Sequence, residues 1–125
     1  MSALTGYKVI ELAGIGPGPM GGMMLADMGA EVIRIERPGA GDQLVLEPIS
    51  GRGKKSVVLN LKSAAGLETL LRLVDNADVL IDPYRPGVCE KLGIGPEVCL
   101  ARNAKLVFAR MTGWGQTGPL SLIHI

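Results

Sequence analysis

The chain has 125 residues, enough for one domain or part of one. Hydrophobic residues make up 47 % and charged residues 20 %, with a formal net charge of +1. There is material for a core, and there is no basic excess that would point to nucleic acid or to a membrane surface.

Residues 7–13, YKVIELA, read as a strand. The stretch PGPMGGMMLADMG (17–29) reads as a helix. Pro17 is tolerated in its first turn, where the missing N–H had no partner, and Gly29 can end it in the left-handed conformation. AEVIRIE (30–36) is a second strand, and RPGAGDQLVLEPISGRG (37–53) is a long loop punctuated by Gly and Pro, of a length usually tied to function. KSVVLNL (55–61) reads as a third strand. In SAAGLETLLRLVDNAD (63–78), Leu67, Leu70, Leu71, Val74 and Ala77 recur at helical spacing behind Ser63 as N-cap. VLIDPY (79–84) is a fourth strand, GVCEKLGIGPEVCLARN (87–103) one or two short helices, and KLVFARMTG (105–113) a fifth strand. Strands alternating with helices predict an α/β fold, Rossmann-like, with a parallel sheet covered on both faces. Ligands of such sheets sit beyond the carboxyl ends of the strands, so a site is expected in the loops after Leu12, Glu36, Leu61, Pro83 and Thr112.

No apolar run approaches the ~18 residues of a membrane span, and the N-terminal MSALTGYKVIEL lacks a signal-peptide pattern. Cys89 and Cys99 show no metal-ligand spacing and are too few for a disulfide framework. A cytoplasmic setting with reduced thiols is expected, with no metal site.

Gly16-x-Gly18-x-x-Gly21 follows a strand and opens a helix, and Glu36 ends the next strand, as in dinucleotide-binding folds. That motif works through backbone N–H groups on a pyrophosphate, and Pro17 and Pro19 remove two of them. A tight turn that permits close approach of backbone or ligand is the better reading. Met20, Met23, Met24 and Met28 lie at helical spacing; they suit an acyl-chain surface, but packing on the sheet is the simpler expectation. Several cations stand in the loops: Arg52, Lys54 and Lys55 crowd SGRGKKS, while Arg37, Lys62 and Arg85 follow three different strands and would share one rim. Guanidinium and ammonium groups gathered in this way suit a ligand with several phosphates. Asp82, before Pro83, reads as a turn residue and Glu11 as a paired strand residue, neither as a poised base.

Four blocks, VIELAGIGPGPMGGMMLADMGAEVIRIERPG, GRGKKSVVLNLKS, YRPGVCEKLGIGPEVC and RMTGWGQTGPL, resemble in order and spacing the family III CoA-transferases, and within them the α-methylacyl-CoA racemases. The resemblance implies that residues 1–120 are the N-terminal, CoA-binding part of that family's large domain, and that 121–125 (SLIHI) form a tail outside the family pattern. It implies CoA contacts at Arg37, at Leu59, Asn60, Leu61 and Lys62, and at Arg85. Acyl-CoA enters as substrate, with no separate cofactor, and the full-length parent is expected to be an interlocked homodimer.

Racemising an acyl-CoA at C2 needs two acid/base groups on opposite faces of an enolate. The resemblance implies a His in a Gly-His-Asp stretch just after GWGQTGPL and an Asp further on. His124 comes too early and lacks the following Asp, so no residue of this chain is assigned a catalytic role, and the chain alone is expected to be inactive. Two other activities fit less well: transfer of CoA between carboxylic acids, and non-catalytic binding of CoA or a nucleotide.

Overall fold

The computed structural model describes residues 1–40 and 49–121. His124 and the middle of the 37–53 loop lie outside the described residues. In chain order the elements are β1 (Lys8–Leu12), α1 (Pro17–Asp27), β2 (Glu31–Glu36), β3 (Lys54–Val58), α2 (Ala64–Val74), β4 (Val79–Asp82), α3 (Val88–Leu92), α4 (Pro96–Arg102) and β5 (Val107–Arg110). The five strands form one parallel sheet in the order β3-β2-β1-β4-β5. The chain winds outward from β1 in one direction through β2 and β3, then in the other through β4 and β5. The topological switch therefore lies between β1 and β4, where α/β sheets hold their ligands.

Side chains alternate between the two faces of each strand. Ile10, Leu12, Ile35 and Leu80 pack with Leu70, Leu71 and Val74 of α2, Cys89 of α3 and Cys99 of α4. Val9, Val32 and Ile81 face the other way, against Leu25 and Ala26 of α1. The sheet is thus covered on both sides, as the near-continuous apolar strands require. Helix α2 forms where its periodicity predicts, and the Ser63 hydroxyl accepts the Gly66 N–H at 3.1 Å as an N-cap. Its far end is closed by Asn103, whose side-chain amide donates to the carbonyls of Val74 and Ala77 at 2.9 and 2.8 Å. Among the described residues no helix is long and apolar enough to cross a membrane.

Helix α1 meets the sheet through Gly18, Pro19 and Gly22. Beneath it the Glu11 carboxylate pairs with the Lys54 ammonium at 2.6 Å, the two side chains being 0 % and 2 % exposed. Lys54 also donates to the Pro19 carbonyl at 2.9 Å. A Cβ at position 22 would fall 1.8 Å from Glu11 Oε2, so only glycine lets the helix come this close. On the same face Arg34 pairs with Glu36 at 2.6 Å, both buried.

Two expectations are corrected by this packing, those for the methionines and for the end of β3. Met20, Met24 and Met28 do not pack on the sheet; they are exposed, because the glycine side of α1 takes the inward position. Arg52, Lys54 and Lys55, which crowd SGRGKKS, stand apart from the rim expected of Arg37, Lys62 and Arg85. They sit at the amino end of β3, paired respectively with Asp27, Glu11 and Glu31. Strand β3 ends at Val58 rather than Leu61. Leu59 N–H still bonds the Glu36 carbonyl at 2.9 Å, but the Asn60 side chain then accepts the Lys62 N–H at 3.1 Å and turns the chain toward α2.

Gly22→Ala should therefore be strongly destabilising, by about 3 kcal/mol, because the added methyl separates a buried ion pair. Gly21→Ala, whose Cβ meets nothing within 4 Å, should be neutral or slightly stabilising. Denaturant unfolding of the two variants side by side checks the contrast, and equal effects would refute it.

Candidate functional site

The carboxyl ends of the strands carry two cavities among the described residues, both bordered by Tyr84. The first, about 480 Å³, is walled by Ile35, Leu59, Leu61, Val88 and Leu92, with Arg37 and Lys62 also lining it. Arg37 is the first residue after β2, and Lys62 follows the Asn60 turn after β3; both are exposed. Two cations thus stand at an apolar-walled cleft. The contact suits a ligand with a flat apolar part and anionic groups.

The second cavity, about 450 Å³, lies at the switch point. It is bordered by Gly16 and Pro17 after β1, by Pro83, Tyr84 and Arg85 after β4, and by Met111 to Gly113 after β5. The structure therefore gathers Arg37, Leu59, Asn60, Leu61 and Lys62 around one cavity and puts Arg85 on the neighbouring one. All three expected cations share the carboxyl rim, but they are divided by Tyr84. Sequence reasoning passed over Tyr84, Val88 and Leu92. Tyr84 stands directly before Arg85 in the YRPG turn, and its position is fixed by its own N–H, which donates to Asp82 Oδ1 at 2.9 Å.

The glycine motif has a packing purpose. A Cβ at Gly14 would come 2.7 Å from Pro83 Cβ, and one at Gly18 would come 3.1 Å from it. These glycines let the β1 and β4 turns close on each other. Gly16 has φ +71°, and Pro17 and Pro19 follow at the start of α1. Glu36, which in dinucleotide-binding folds would accept ribose hydroxyls, is 2 % exposed and held by Arg34.

Among the described residues each buried acid is already engaged by a partner. Glu11 is engaged by Lys54. Asp82 is 3 % exposed, and burial pushes its carboxyl above the usual range against the pull of the Tyr84 N–H, Cys89 and Arg110. Burial, reinforced by Asp82, pushes the Cys89 thiol far up as well, so it is no nucleophile. Among the described residues no group of His, Cys, Asp and Glu could hold a metal ion.

Comparison with known proteins places these features in context. The profile of CoA-transferase family III matches residues 4–122. The chain is 48 % identical to the α-methylacyl-CoA racemase of Mus musculus over 96 % of its length, and 47 % identical to that of Homo sapiens over 93 %. It spans 30 % of either relative. The probable fatty acyl-CoA transferase Rv3272 of Mycobacterium tuberculosis is 37 % identical over 93 % of this chain and 33 % of its own. A crystal structure of Rv3272 superposes with a TM-score of 0.91, covering 97 % of this chain and 35 % of that one.

The burial of Asp82 has a measurable sign. Its folded pKa lies above the ordinary 3.8, so its contribution to stability is complete below that pH and is lost as the pH rises through the folded value. Asp82→Asn keeps an acceptor for Tyr84 without a charge to desolvate. It should be more stable than the parent at pH 7, with the gap closing as the pH falls to 3.8. Denaturant melts at the two pH values test this; a variant less stable at pH 7 would mean that the Arg110 contact outweighs burial.

Proposed function

Because the chain belongs to CoA-transferase family III, we propose that its rim binds an acyl-CoA thioester and that the protein built on it is an α-methylacyl-CoA racemase. The observation that carries the reading is the pairing of Arg37 and Lys62 at one apolar-walled cavity. CoA ends in an adenosine 3′-phosphate whose 5′-oxygen is joined through a pyrophosphate to a long pantetheine arm. The nucleotide end goes to the first cavity, its base against Leu59 and Leu61 and its phosphates toward Arg37 and Lys62. From there the arm runs past Tyr84 to the second cavity, at the β1/β4 switch. Helix α1, whose first residue Pro17 borders that cavity, offers the exposed Met20 and Met24, adaptable apolar groups of the kind an acyl chain takes.

The reaction would be removal of the C2 proton to give an enolate, followed by its return on the opposite face, interconverting 2R- and 2S-methylacyl-CoA. The acids described here are committed to ion pairs or turns, so the two proton-carrying groups are assigned to the further length that the relatives have and this chain does not span. The higher identity to the racemases favours this activity over CoA transfer.

The test uses the full-length protein with a 2-methylacyl-CoA in deuterium oxide. One deuterium should appear at C2, with scrambling of configuration. Passage of CoA to a free carboxylic acid without exchange would replace the racemase by a transferase. Binding of CoA with neither reaction would leave a binding module. Arg37→Gln should weaken acyl-CoA binding about 10-fold or more, as expected for losing a charge-assisted contact to phosphate. In the coding sequence, a Gly-His-Asp stretch downstream of the Leu120 codon is the matching expectation.

A further inference from the structure

Arg110 is the last residue of β5 and lines neither cavity, yet its guanidinium touches three segments that do. Its Nη1 donates to Gln116 Oε1 at 2.6 Å. Its Nη2 donates to the Glu90 carboxylate, which lies in α3 between Val88 and Leu92 of the first cavity. Its Nε stands 4.0 Å from Asp82 Oδ2, the carboxyl whose other oxygen fixes Tyr84 between the cavities. The Phe108 ring supports the guanidinium from one side, 5.6 Å from its centre.

The connection to Gln116 matters most. Residues 112–121 carry Gly113, Gly115 and Gly118, the last two with φ of +84° and +94°. Among the described residues, the other hydrogen bonds of this segment stay within it: Gly115 N–H to Thr112, and the Ser121 N–H and hydroxyl to the Gly118 carbonyl. Glycine-rich backbone loses much freedom on ordering, so a single strong anchor decides whether such a segment holds its place. Met111, Thr112, Gly113 and Ser121, at its two ends, border the second cavity.

We infer that Arg110 is a positioning residue: through Gln116 it holds the 112–121 segment over the second cavity while its bond to Glu90 ties that segment to the wall of the first. The inference rests on the acyl-CoA reading only for its choice of probes. A ligand that reaches both cavities feels the anchor, and one confined to the first does not. A guanidinium suits the task because its planar fork serves several acceptors at once.

The experiment compares Gln116→Leu, which removes the acceptor, with Gln116→Glu, which keeps one, in the full-length protein. CoA and adenosine 3′,5′-bisphosphate are titrated into each by calorimetry, and amide hydrogen exchange is followed across residues 112–121 without ligand. Gln116→Leu should weaken CoA about 10-fold, leave the bisphosphate unchanged and speed exchange in 112–121 at least 10-fold, while Gln116→Glu stays near the parent on all three. Equal loss of both probes, or no change in CoA affinity, overturns the coupling. If the parent binds neither probe the acyl-CoA reading fails, and exchange alone then decides the anchor: unchanged rates in Gln116→Leu refute it.

Discussion

The arrangement at the start of the sheet follows from one buried ion pair. Glu11 lies in the central strand with its side chain wholly out of solvent, a position where an unpaired carboxylate would cost several kcal/mol. Lys54 answers it from the edge strand, and its ammonium reaches further to the Pro19 carbonyl in the first turn of α1. The charge that neutralises the strand therefore also sets the seat of the helix. Arg34 and Glu36 repeat the pattern beside it, so this face holds two acids and two bases with no net charge. Beneath α1 the sheet is held by electrostatics as much as by apolar contact, and over the ion pair the helix comes close through Gly22.

That demand explains the composition of α1. Its first two turns face inward through Gly18, Pro19 and Gly22, Leu25 and Ala26 pack further along, and Met20, Met24 and Met28 are turned outward. The same small residues let the turn after β1 approach Pro83, which draws the β1 and β4 loops together at the switch point. The second cavity is the space left in front of that contact. Larger residues in place of Gly18 and Gly22 would hold the helix further from the strands and would open the crevice.

How far the sequence revealed this differs from element to element. Helix α2 was plain, because its apolar spacing and its Ser63 cap point the same way. The parallel sheet followed from the alternation of elements, the rule that ligands lie at strand carboxyl ends led to Arg37, Lys62 and Arg85, and Leu59, Asn60 and Leu61 entered only through the family resemblance. The end of β3 was hidden, since Leu59 and Leu61 continue an apolar run and only the Asn60 turn interrupts it. The methionines and Lys54 were misplaced for a shared reason. Local patterning puts apolar groups inside and lysines outside, and the buried Glu11 that reverses both is distant in sequence from Lys54. Tyr84 gave no signal because its importance comes from lying between two cavities, which only the folded chain creates.

The glycine motif shows why spacing alone does not identify a ligand. In a dinucleotide site the glycines clear the way for a pyrophosphate, the helix start offers its N–H groups, and the acid after the second strand takes a ribose. Here Gly18 makes room for Pro83, while Pro17 and Pro19 take two donors from the helix start. Glu36 is spent on Arg34. Positive charge stands instead on side chains, Arg37 and Lys62, that line a cavity on the loops after β2 and β3. Side-chain cations can follow phosphates spread along an extended ligand, whereas a single helix terminus serves one compact group. On the acyl-CoA reading proposed above, the same strand–turn–helix frame would leave the crevice at the switch point free for the reactive end of a longer molecule instead of gripping a pyrophosphate there.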